Sequence, residues 1–537
     1  MRLSTLSMWA LALSLSGGLA LGCGKKKTPT PTETTASPET AATETTADKS
    51  DATTTSDPAT NTSAADAGTA PATGPHAGGL PEPGPRPDWK PPAVVTWSLD
   101  NGLTVWLVEQ RQAPLASLQL VLPNGAASDP AGKAGLTTLM ADMLDEGAGE
   151  RTSLELADAF SALATNYGDS VATDGTIFGM EMLADNLDGS MALFADIVLR
   201  PTLSEVEFSR RKEQHLAGAL ADEADPENAA AVTLRRVLFG EHYAGYPAGG
   251  VRGTLEKVAF ADLKPHYEAL VKPEGAVLVV VGAVDRKTLE ASVKTHLGEW
   301  EGAPATQVLA GSGKTETVHG LHIIDFPGAA QTALQIGRLA PGVDAKDEFE
   351  TSVFNRALGG AFTSRINMNL REDKGYTYGA RSGFMRFKNA GAYYHRTSVK
   401  SDTTRLSWNE IERELTEVGS TKPITALERD QAANGVILGF PGRFQRIASM
   451  AGQLANLAVD GRPASYYTTW ASRIQAVTTE AANTAGKAYV DPASYVIVAA
   501  GDRKSIEAAF ADLKLPTVVY DAQGNILTDT AGETSDK

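Results

Sequence analysis

The chain writes one pattern of apolar and polar positions twice. VLVVVGAVDRKTLEASVKTHL at 277–297 sets a short unbroken apolar run, as in a buried strand, before Gly, Asp-Arg-Lys and a segment with apolar residues at helical spacing. YVIVAAGDRKSIEAAFADL at 495–513 repeats it, with Asp285 and Asp502 217 positions apart. The starts of the halves agree: LTVWLVEQ and LASLQLVLPNGAASD in the first match LHIIDFP and TALQIGRLAPGVD in the second. Each half reads as strands, helices, then a closing strand and helix. This predicts two α+β units, at 88–300 and 318–515, each with helices packed on a mostly antiparallel sheet.

The join at 301–317 is rich in Gly, Pro, Ala and Thr and reads as a linker. It contains GSGKT, but Val308 stands where a phosphate-binding loop needs its first glycine, and the strand-like LHIIDF follows where that loop needs a helix.

Within 135–147, GLTTLMADMLDEG, the residues Leu136, Leu139, Met140, Met143 and Leu144 recur at helical spacing and predict one core-facing stripe, with Gly147 as the stop. Thr138, Ala141, Asp142 and Asp145 fall on the other side. Asp142, Asp145 and Glu146 read as a solvated acidic helix end rather than a site for a hard cation.

A 42% hydrophobic content suffices for real cores, whereas a net charge of −17 argues against nucleic acid as a partner. The eight histidines include no pair spaced i, i+4 for metal binding on one helix face; His319 and His322 fall on a strand, where alternation sends them to opposite faces. Cys23 is the one cysteine, which excludes disulfides and cysteine-rich metal sites.

An apolar run from Met8 to Leu21 ends in LALGC, too short for a comfortable membrane span. It resembles a bacterial lipoprotein signal, with 1–22 removed and Cys23 lipidated. By the same resemblance, Gly24 and Lys25 after the cysteine imply an outer-membrane anchor facing the periplasm, in the cell envelope. The Thr-, Ala- and Pro-rich segment 23–87 has too few large apolar residues to offset ordering and reads as a disordered tether. The last stretch, 516–537, reads as a flexible tail.

Two stretches carry a family resemblance. The helix at 135–147 fits the frame of the metal-binding helix of insulinase-like (pitrilysin) zinc metallopeptidases, which carries HxxEH, two zinc-binding histidines and a general-base glutamate. Here Thr138 stands for the first histidine, Ala141 for the glutamate and Asp142 for the second histidine. The family's third ligand falls at Gly218. The stretch GGAFTSRINMNLREDKGYTYGARSGF at 359–384 resembles the second unit of the same family, in which an arginine and a tyrosine seven residues on bind the substrate's backbone carbonyl. Arg371 and Tyr378 match that pair.

The resemblance covers about 94–515 and implies one half of a clamshell whose duplicated units enclose a peptide. It implies no catalytic residue of the chain's own and no cofactor in it, with zinc held by a partner. Arg371 and Tyr378 would act as carbonyl and oxyanion donors in a complex. The implied function is a non-catalytic subunit that pairs with an HxxEH-bearing homologue to hydrolyse peptides. The alternatives are a stand-alone peptide-binding or scaffold lipoprotein, gripping peptides along a strand edge near Gly168, Asp169, Ser170 and Val171, and an active peptidase with an unorthodox metal site.

Overall fold

The computed structural model describes residues 89–305 and 319–527. The signal, Cys23, the tether and most of the expected linker lie outside the described residues. From Trp89 onward the chain forms one compact unit built on two six-stranded sheets.

The first half contributes β1 (Val95–Ser98), β2 (Thr104–Glu109), β3 (Leu115–Leu122), the two-residue β4 (Gly147–Ala148) and β5 (Arg151–Thr152), β6 (Asn166–Val171), β7 (Thr176–Leu183) and β8 (Val277–Gly282). The second contributes β9 (Gly320–Asp325), β10 (Gln331–Leu339), β11 (Thr377–Arg386), β12 (Gly391–Lys400), β13 (Val496–Gly501) and β14 (Thr517–Tyr520). The sheet orders are β1-β2-β8-β3-β7-β6 and β11-β12-β10-β13-β9-β14, the same order read from opposite ends. In the first, β2 and β8 pair in parallel and every other pair is antiparallel. In the second, β9 pairs in parallel with both β13 and β14. Thr517–Tyr520, expected within a flexible tail, is therefore an edge strand. Its Val519 and Tyr520 are buried, and burial is what fixes it.

The repeated motif has the same local cause in both copies. Asp285 accepts from the backbone N–H of Thr288 at 2.9 Å, and Asp502 accepts from Ser505 N–H at 2.9 Å, so each caps the helix after its closing strand.

The unbroken apolar runs of β8 and β13 follow from packing between the halves. Leu278 and Val280 face the first half's own helices, while Val279 and Val281 face Met450, Leu454 and Leu457 of the helix Ile447–Val459 from the second half. Reciprocally, Ile497 and Ala499 face the second half's core, while Val496, Val498 and Ala500 meet Leu234 and Leu238 of the helix Pro226–Phe239 from the first half. Each half thus covers the outer face of the other's sheet with an equivalent helix, and strands buried on both faces lose their polar alternation. The approach is close: a Cβ at Gly337 of β10 would lie 2.9 Å from Leu234.

Candidate functional site

The region equivalent to the metal-binding helix is shorter than the apolar stripe predicts. Its α-helix runs Leu136–Ala141, Asp142 caps it, and the chain continues in turns in which Met143 and Leu144 N–H groups bond three residues back, to Met140 and Ala141. Gly147 does not stop the helix; it opens β4. Helical spacing survives the change, so Leu136, Leu139, Met140, Met143 and Leu144 are all buried as expected.

A buried polar group fixes the start of this helix. Asp129 accepts from Gly135 N–H, Thr137 N–H and the Thr137 hydroxyl, each at 2.6–2.7 Å. His266 Nε2 lies 2.8 Å from that hydroxyl. Burial raises the Asp129 carboxyl to about 6 against the pull of these hydrogen bonds, and burial lowers His266 to about 4. Gly135 has φ 99°, and a Cβ there would lie 2.6 Å from the Gly249 carbonyl oxygen, so a glycine is required.

The residues at the family's metal positions do not form a zinc site. Thr138 donates its hydroxyl to the Ala248 carbonyl at 2.8 Å, and Ala141 is buried with no donor atom. Asp142 is bound to His215 Nε2 from the helix Glu205–Glu223, and Gly218 stands one turn further along that helix with open space around it. Among the described residues no three His, Cys, Asp or Glu side chains are arranged to hold a metal ion.

The acidic helix end is not solvated, contrary to expectation. Glu146, whose side chain is only 7% exposed, pairs with both Arg210 and Arg211, and Arg211 also reaches Asp145 at 3.9 Å. Burial raises Asp145 to about 6, with Arg211 opposing and Glu146 and Asp142 adding to the rise. Asp169 of β6 is held well above the carboxylate range by burial and by Asp142 and Asp145. Histidine, arginine and acid thus come together where the family keeps its ligands. His215 lies 73 positions from Asp142, and no local sequence pattern joins them.

β6 is the outer strand of its sheet, with β7 as its one neighbour among the described residues, so the row Gly168, Asp169, Ser170 and Val171 borders an edge to which no described strand pairs. Gly168 has nothing within 4 Å of where a Cβ would stand.

Arg371 and Tyr378 sit on a different, strongly constrained scaffold. A short helix, Arg365–Asn367, runs into a wider π-helical turn, Met368–Asp373, that contains Arg371. Such turns are frequent at functional sites because they push side chains off the regular helical positions. Asn367, fully buried, holds three pieces together. Its amide donates to the Phe362 carbonyl at 2.6 Å and its oxygen accepts from Ala380 N–H at 3.0 Å. β11 bulges between Thr377 and Ala380, and Tyr378 on that bulge is 88% exposed. Thr377 pins the bulge, its hydroxyl donating to the Ser398 carbonyl at 2.7 Å and accepting from Gly379 N–H at 3.0 Å. Arg371 lies over the Phe362 ring, 4.7 Å from its centroid, with Nε 3.2 Å from Glu372.

Two family models match this chain. Residues 104–246 match insulinase (peptidase family M16), and residues 257–436 match the peptidase M16 inactive domain. The chain belongs to the insulinase family. It is a homologue of M16 peptidases that lacks the family's metal-binding side chains. An uncharacterized zinc protease of Mycobacterium tuberculosis is 24% identical over 62% of this chain and 77% of its own. The non-peptidase homolog YmxG of Helicobacter pylori is 23% identical over 71% of this chain and 88% of its own. Among solved structures, an M16 inactive domain from Pseudomonas fluorescens superposes with a TM-score of 0.71 at 26% identity, covering 76% of this chain and 98% of that one. The Escherichia coli periplasmic protease PqqL shares the fold at a TM-score of 0.65, covering 82% of this chain and 52% of that one.

Proposed function

We propose that this chain is a non-catalytic, substrate-binding subunit, one half of a clamshell, that pairs with an HxxEH-bearing homologue to hydrolyse peptides in the cell envelope. Metal and general base would belong to the partner. This chain would present Arg371 and Tyr378 to a peptide carbonyl, whose oxygen gains charge as water adds to it. The observation that carries this reading is a contrast within one molecule: of the metal positions, Thr138 and Asp142 are bonded elsewhere and Ala141 and Gly218 offer no donor atom, while Tyr378 stands exposed on a bulge tied through Asn367 to the helix end that bears Arg371. That a relative is named a non-peptidase homolog supports the same reading. Lipidation at Cys23 would tether the subunit to the outer membrane, facing the periplasm.

The test is reconstitution. The full chain and an HxxEH-bearing homologue from the same cell, mixed in equal amounts, should co-elute and cleave peptides that neither cleaves alone. Absence of a complex, or equal cleavage by the homologue alone, would sink the subunit reading. A stand-alone peptide-binding lipoprotein is the second reading, favoured by the edge of β6 to which no described strand pairs. Peptide binding without any partner-dependent cleavage would select it.

A further inference from the structure

Beside Tyr378 the second sheet carries positive charge that carbonyl binding does not use. β11 and β12 pair antiparallel with Arg381 directly opposite Arg396. Directly opposed residues share a face with Cβ atoms about 5 Å apart, an unfavourable place for two like charges. Strand alternation puts this pair on the face of Met385 and Tyr394, away from the core side that Phe384 and Tyr393 occupy.

Neither guanidinium is paired with a carboxylate among the described residues; Arg381 donates only to the carbonyl of Ala380, at 3.0 Å. Burial, and then the charges of Arg371 and Arg396, hold Arg381 below the usual arginine value. Two carboxylates of this region are already engaged, Glu372 by Arg371 at 3.2 Å and Glu227 by the Ser398 hydroxyl. With 65 acidic against 48 basic residues, the chain has carboxylates in excess, yet none among the described residues neutralises this pair. The backbone edge of β11 beside Arg381 is already occupied, with Ala380 N–H bonded to Asn367 and Ser382 N–H to the Gly359 carbonyl, so a ligand meets the pair over its face and not along that edge.

We propose that Arg381 and Arg396 bind a carboxylate side chain of an extended acidic peptide that crosses this face of the sheet. Two planar forks on neighbouring strands suit a carboxylate, which each can meet with paired N–H donors. The inference rests on the reading of this chain as a peptide-binding subunit and adds the class of peptide.

The test is fluorescence anisotropy of two labelled peptides on the full chain without partner, identical except that glutamates in one are glutamines in the other. At low salt the acidic peptide should bind at least about tenfold more tightly, and the preference should shrink as salt rises from about 50 to about 300 mM. The Arg381→Gln, Arg396→Gln double variant should lose the preference while binding the neutral peptide as before. Arg381→Lys, which keeps the charge but not the fork, should fall between. Equal binding of both peptides by the unaltered chain, or a preference that survives in the double variant, overturns the subsite and leaves peptide binding standing. Failure to bind either peptide overturns both.

Discussion

Arg371 is held over the aromatic face of Phe362, 4.7 Å from the ring centroid, and Phe362 is itself fixed by its carbonyl's bond to Asn367. Since Asn367 also grips Ala380 N–H, the helix end that bears Arg371 and the strand that bears Tyr378 share one buried anchor.

In the reconstituted pair, Arg371→Ala and Tyr378→Phe should each lower turnover by on the order of 100- to 1000-fold, as the loss of one donor to a developing oxyanion does elsewhere. Folding and assembly should be unchanged, because Tyr378 is exposed and the Arg371 side chain meets the exposed Phe362 ring and a neighbouring surface glutamate. Turnover number and thermal midpoint measured side by side decide it. Full turnover in both variants makes these residues structural.

Phe362→Leu should reduce turnover of the pair by about 2- to 5-fold, the worth of one exposed cation–π contact, with the midpoint unmoved. Phe362→Tyr, which keeps the ring face, should restore it. A loss that tyrosine fails to rescue would mean that Phe362 does not act through Arg371.

The purified chain should hold no stoichiometric zinc. Asp142 is bound to His215, and the remaining family positions carry a hydroxyl bonded elsewhere, a methyl group and a glycine. Elemental analysis showing one tightly held zinc per chain, lost in Asp142→Ala, would contradict this. That substitution should otherwise cost about 0.5 to 1.5 kcal/mol, as for one lost hydrogen bond.

His395 sits in the second core with Nε2 3.3 Å from the Tyr495 hydroxyl, and burial pushes its value from 6.5 down to about 3. A folded value below the unfolded one means that its contribution to stability is present above pH 6.5 and is lost as pH falls toward 3. Each proton taken up only on unfolding adds a slope of about 1.4 kcal/mol per pH unit. Denaturation midpoints from pH 7 to 4 should therefore fall less steeply for His395→Gln than for the unaltered chain. Parallel curves would show that His395 is not buried neutral.

Cys23→Ser should move the protein from the membrane fraction to the soluble fraction, because the proposed anchor is a lipid on that sulfur. Unchanged fractionation would remove the lipoprotein proposal.

Most of the architecture was legible because it is periodic. The duplicated strand, aspartate cap and helix at 277–297 and 495–513 are set by neighbours within a few positions, and so was the core stripe from Leu136 to Leu144. The extent of that helix was not, because turns bonded three residues back can keep the same face buried without an α-helix. The edge strand Thr517–Tyr520 was missed because four residues show no period, and its pairing to β9 lies about 200 positions away.

The sequence by itself determined two repeated α+β units, the absence of the family's histidines and glutamates from their positions, and the presence of Arg371 and Tyr378. These depend on residue identity and on spacing along the chain. Only the tertiary structure decided that Asp142 meets His215, that Glu146 is buried against two arginines, and that Arg381 faces Arg396. It also decided that each half covers the other's sheet with an equivalent helix. Such contacts join positions tens to hundreds of residues apart. Register, burial and the approach of helices select them, and no local pattern of residues encodes that choice.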